Sequence, residues 1–124
     1  MKKLLISLIA LTSVHTYANQ CESLTNINAT ALTVNWQLYQ LGKYHETDFF
    51  VEKSIEITSA CSTGNSSEIR SLIKDYCYEA RPMIQKGLRE YQDLPSEYRT
   101  GEDSPGMLLL DAAIDLKKIC NKNK

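Results

Sequence analysis

A chain of 124 residues, 43% hydrophobic and 23% charged, is long enough for one domain and too short for two. Its 14 Lys and Arg stand against 15 Asp and Glu, so it lacks the basic excess that a nucleic-acid binder needs.

The first residues read as an export signal rather than as fold. Lys2 and Lys3 form a charged start, Leu4–Leu11 is apolar apart from Ser7, and Thr16-Tyr17-Ala18 offers small residues to a signal peptidase. The apolar run is shorter than the roughly 20 residues a membrane span requires. Met1–Ala18 is therefore expected to be cleaved, with Asn19 as the new terminus. Gln20 before Cys21 is not the small residue a lipoprotein needs. Without Lys2 and Lys3 the count becomes 12 cations against 15 anions, near −3. No attraction to anionic lipid follows, so no membrane association is expected after cleavage. The short charged start resembles bacterial signals and makes the periplasm the expected compartment. Cys21, Cys61, Cys77 and Cys120 all lie beyond the signal, and an even count in an exported chain reads as two disulfides. Their wide spacing lacks the close pairs of a zinc site.

Leu24, Ile27, Ala31, Val34, Leu38 and Leu41 step by threes and fours, which predicts a first helix over Thr25–Leu41 ending at Gly42. Trp36 lies off that stripe and reads as a core-rim residue. A second helix is expected from Phe49 to Cys61, capped by Thr47 or Asp48, with Phe50, Ile57 and Cys61 inward and Phe49, Ile55 and Ala60 flanking. The third is the longest, over 65–91, with Asn65 and Glu68 as a capping box. Pro82 inside it should kink the helix or split it near Arg81, and Gly87 is a second weak point. From Gln92 to Ser104 the pattern is lost, which predicts a long acidic loop. Ser104-Pro105 starts a fourth helix, with Leu109, Ala113, Leu116 and Cys120 on one stripe and a frayed tail over 121–124.

Four helices with short turns predict an all-α, up-down-up-down bundle. At ~1.5 Å per residue, Cys77 and Cys120 fall at one level below the upper loop, and Cys21 and Cys61 share the lower end. Cys21–Cys61 with Cys77–Cys120 is the favoured pairing. Cys61–Cys77 with Cys21–Cys120 stays open, because a bent third helix would alter the levels.

No residue set points to catalysis, a cofactor or a metal. His45 is alone in a turn, and no serine sits in a nucleophile elbow. No phosphate loop, H-E-x-x-H or EF-hand spacing occurs. The carboxylate pairs Glu102-Asp103, Asp111/Asp115 and Glu52/Glu56 read as solvated faces. A non-enzymatic binder is expected instead. The 42–48 turn and the 92–104 loop meet at one pole of such a bundle, bringing Glu46, Asp48, Asp93, Glu97, Glu102 and Asp103 against Lys43 and Arg99. Tyr44 and Tyr98 stand among these charges and would serve as aromatic anchors.

The whole build beyond the signal resembles immunity proteins that protect bacteria from cell-wall-degrading toxins of the type VI secretion system. That resemblance is one of architecture alone. It implies a protein partner, such as a basic cell-wall hydrolase, contacted by Tyr44, Glu97, Tyr98, Arg99, Glu102 and Asp103. An alternative expectation is a periplasmic stress or chaperone protein that exposes apolar helix faces at low pH. A homodimer would follow if a helix stripe stayed uncovered.

Overall fold

The computed structural model describes residues 2–43 and 45–123, with side chains from residue 18 onward. Among these residues the chain forms four helices and no strand: α1 (Lys2–Gln40), α2 (Thr47–Thr63), α3 (Ser66–Gln92) and α4 (Pro105–Lys122). A single 3-10 turn, Ser96–Tyr98, interrupts the long loop. The signal reading rests largely on side chains outside those described. No helix of the described residues is long and apolar enough to cross a membrane.

Three sets of contacts fix the chain directions. Asn28 of α1 meets Phe50 and Ser54 of α2, while Asn35 meets Glu46 just before α2, so these helices run antiparallel. Tyr76 and Tyr91 of α3 reach Asn28 and Val34 of α1 in the same order, so α1 and α3 are parallel. Cys77 bonds Cys120 while Gly87 faces Leu109, an opposite order that makes α3 and α4 antiparallel. The predicted up-down-up-down bundle is what forms, and α1 touches all three other helices.

The disulfides are Cys21–Cys61 and Cys77–Cys120, with Cα–Cα distances of 6.1 and 5.9 Å. Each staples one helical hairpin. In the chain-entropy account each is worth on the order of 4 kcal/mol. Two such bonds place the folded chain in an oxidising compartment.

The stripe Leu24, Ile27, Ala31, Val34 and Leu38 is buried as its spacing predicts. Each fully buried Leu or Ile stabilises the fold by roughly 1.5–3 kcal/mol. α1 begins well before Thr25, because no Pro or Gly stands between Ala18 and Leu24 to stop it. It ends in a Schellman turn: Lys43 N–H donates to the Leu38 carbonyl and Gly42 N–H to that of Tyr39, with Gly42 at φ 74°. Leu41 is 39% exposed and drops out of the core stripe, since this turn carries it past the helix end.

α2 starts two residues earlier than expected, after Glu46, and neither Thr47 nor Asp48 caps it. The Asn35 side chain takes that role from α1 by accepting from Glu46 N–H at 3.1 Å. Ile55 does not flank the core; it is 67% exposed, and Lys53 occupies the inward position instead. Lys53 Nζ pairs with Glu79 of α3 at 2.7 Å and Glu56 at 3.0 Å. Burial works against its charge, but the hydrogen bonds to Glu79 and Glu56 outweigh that and raise its pKa.

α3 passes through Pro82 as one element and is not split at Arg81. Pro82 and Tyr78 are both exposed, so the carbonyl left without its N–H partner lies on a face that water reaches. The cap is Asn65, whose Oδ1 accepts from Glu68 N–H at 3.1 Å. The reciprocal half of the box runs through Thr63: its hydroxyl accepts from Asn65 N–H and lies 3.0 Å from Glu68 Oε2. Gly87 is a contact rather than a weak point. A Cβ there would come within 3.0 Å of Leu109 Cδ2, so the missing side chain lets α3 and α4 close up. The tail does not fray at Asn123, which is buried and donates to Gln20 Oε1 and to the Ile119 carbonyl.

Candidate functional site: an acidic pole with an aromatic ladder

The 41–46 turn and the 93–104 loop share one end of the bundle, because α1 and α3 both finish there. Tyr91, in the last turn of α3, fastens the two: its hydroxyl lies 3.1 Å from the Val34 carbonyl and 3.3 Å from Gln37 Oε1. Burial and the neighbouring Tyr98 push the Tyr91 pKa up to about 12, so the hydroxyl keeps its proton at any physiological pH.

The loop is more ordered than its composition suggests. Leu94 is buried, and Tyr98 is half-buried against the core. Gly106 makes room for this fold-back, since a Cβ there would meet the Tyr98 carbonyl at 3.2 Å. Ser104 Oγ accepts from Met107 N–H at 3.4 Å and donates to the Gly101 carbonyl at 3.0 Å, which pins the loop's second half.

Of the residues singled out from sequence, Glu97, Arg99, Glu102 and Asp103 are exposed. Tyr98 is turned partly inward, so only part of its ring is open to a partner. Tyr44 lies outside the described residues. Asp48 and Asp93 are exposed at the same end. None of these carboxylates forms an ion pair among the described residues.

The aromatic surface of this pole comes from residues that pattern reading sets aside. Trp36 and Tyr39 are each 52% exposed, with rings stacked at 5.3 Å between centroids. His45, half-buried rather than free in solvent, meets Tyr39 edge-on at 4.6 Å, and its Nδ1 lies 3.2 Å from Thr47 Oγ1. The i, i+3 spacing of Trp36 and Tyr39 is the available signal, because such pairs lie together on a helix surface. Their ladder leads from α1 to Glu46 and Asp48.

The pole therefore combines exposed carboxylates with a half-exposed aromatic stack. Among the described residues no three His, Cys, Asp or Glu side chains gather as a metal site would require, and every cysteine is in a disulfide. Glu56, one member of a carboxylate pair, is held by Lys53. No family model, curated protein or solved structure matches this chain.

Proposed function

We propose that this chain is a small exported, non-enzymatic binding protein that uses its acidic, aromatic pole to occupy a basic cleft on a protein partner. The most concrete form of this reading is a periplasmic immunity-type protein that blocks a cell-wall-degrading toxin such as a type VI effector. The observation that carries it is the Trp36–Tyr39 stack, half-exposed beside carboxylates without ion-pair partners among the described residues. Trp and Tyr are the residues that most often dominate interface energy, and surrounding charge steers encounter and selects the sign of the partner. Two disulfides hold the pole on a preorganised support, which lowers the entropy cost of binding.

The test is capture by the oxidised domain from periplasmic extract, followed by hydrolysis assays on cell-wall material with any basic partner recovered. A stoichiometric partner should be bound and inhibited. Trp36→Ala should weaken binding about 30-fold, the equivalent of about 2 kcal/mol at a hot spot. Glu97→Gln with Glu102→Gln should slow association and flatten its salt dependence. Equal affinity for all three proteins would remove the pole from the interface.

A further inference from the structure

A second surface of different character runs along α3 and α4 and ends at Arg99 of the pole's own loop. Between α3 and α4 lie two hollows of about 260 and 240 Å³ that share Leu88. Their apolar lining includes Met107, Leu110 and Ile114, and the last two are 40% and 47% exposed. Arg81 and Lys117 stand at one end and Arg99 at the other, and among the described residues no acidic side chain lines either hollow. None of these three cations forms an ion pair among the described residues. In a chain with a net negative charge, an apolar strip whose charged lining residues are all cations is a local reversal of sign. From Arg81 to Gln92 the strip runs about 16 Å at ~1.5 Å per residue, or about three helical turns. The Cys77–Cys120 bond lies one turn beyond Arg81 and Lys117 and fixes the spacing of its walls.

We infer that this α3–α4 groove is a docking site for an amphipathic helix of another protein, one whose apolar stripe is flanked by Asp and Glu. The mode is helix-in-groove: side chains at i, i+3 or i+4 and i+7 rest on Leu88, Leu110 and Ile114, and flanking carboxylates meet Arg81, Lys117 and Arg99. Sign and shape select this occupant. The groove is open along its outer side, so an acyl chain would keep one side in water, whereas an amphipathic helix brings its own polar face. The chain's own apolar start carries Lys2 and Lys3 and no acid, which is the wrong sign. A second copy could offer α2, where Val51 and Ile55 are exposed beside Asp48 and Glu52. That contact would join two different surfaces and leave both open at the ends, giving strings rather than a closed pair. This inference does not rest on the acidic-pole reading: the two surfaces share Arg99, but they call for partners of opposite charge.

The experiment titrates the oxidised protein with two synthetic helices of identical leucine stripe, one flanked by Glu and one by Lys, following methyl resonances. The Glu helix should saturate and shift Leu88, Leu110 and Ile114, and Arg81→Glu with Lys117→Glu should weaken it at least tenfold while favouring the Lys helix. Those two cations are exposed, and an unchanged thermal midpoint would confirm that the variant folds. Three results would overturn the assignment. The first is binding blind to peptide charge, or shifts confined to other methyls. The second is tighter occupation of the same methyls by dodecyl phosphate. The third is self-association in sedimentation that the Glu helix competes away.

Discussion

The two hairpins of this bundle are held together by different means. In α1–α2 the contact is polar: Asn28 donates to the Phe50 carbonyl and to Ser54, and Asn35 bridges the Ala31 carbonyl and Glu46 N–H. In α3–α4 it is steric, with Gly87 against Leu109 and Gly106 under the Tyr98 carbonyl. A buried amide has one arrangement that satisfies it, so the first hairpin has its register dictated bond by bond. Close packing through glycine sets distance more than register. It also leaves neighbouring Leu110 and Ile114 beside a hollow. The polar hairpin presents the aromatic ladder, and the steric one presents the groove.

The comparison can be broken most forcefully at the staples. Replacing Cys77 and Cys120 by Ser should remove on the order of 4 kcal/mol, and the Cys21/Cys61 pair should cost a similar amount since both loops are near 40 residues. Urea unfolding measures both. A loss below about 1 kcal/mol for either would mean that packing alone sets that hairpin.

Next comes the polar contact. Asn28→Leu should cost about 3 kcal/mol, because the buried Tyr76 hydroxyl, which donates to Asn28 Oδ1 at 3.0 Å, loses its acceptor. Adding Tyr76→Phe should recover much of that loss, and a purely additive double mutant would argue against a coupled network.

The steric contact should be weaker and of opposite logic. Gly87→Ala gains about 1 kcal/mol of helix propensity yet crowds a fully buried Leu109, for a net loss of about 1 kcal/mol. A gain in thermal midpoint would show that Leu109 can move aside.

The smallest effect lies in alkali. Burial raises the pKa of Tyr91 to about 12 and that of Tyr76 higher still, so the native state holds protons that the unfolded chain releases above pH 10. Their contribution is fully present below pH 10 and is lost as pH rises through the native values. Lys53, also raised, acts in the same direction. Tyr91→Phe should cost about 1 kcal/mol at pH 7 and make the decline between pH 10 and 12 shallower, measured by chemical denaturation across that range.

Much of the fold is legible in the residue order alone. The α1 stripe, Gly42, the Asn65 cap and Ser104-Pro105 are local signals, written in residues a few positions apart. Counting residues down the helices favours the disulfide pairing that forms, and the alternative it leaves open is closed by α3 running as one helix through Pro82. Pattern reading fails where a polar residue turns inward. Asn28, Asn35 and Lys53 look like members of a solvated face, because their partners Ser54, Glu46 and Glu79 belong to other segments and cannot be seen in the local period. Counting only apolar positions then fills the vacated inward place on α2 wrongly and puts Ile55 near the core. At the pole the carboxylates are legible as composition. The aromatic surface is not, because Trp36 taken alone sits off the stripe, and its meaning lies in the pairing with Tyr39, three residues on.

The disulfide map also has a consequence for how the chain comes apart. Drawn as a graph of covalent connections, residues 21–61 close one ring and 77–120 close another, and the only path between rings runs through residues 62–76. A nick in the 41–46 turn or the 93–104 loop leaves every residue of both rings in one covalent piece. A single nick near Gly64 does not. It yields two closed hairpins joined only by noncovalent contacts, the shared core together with links such as Lys53–Glu79 and Tyr76–Asn28. A protease that cuts this short turn therefore converts the folded chain into a two-part complex.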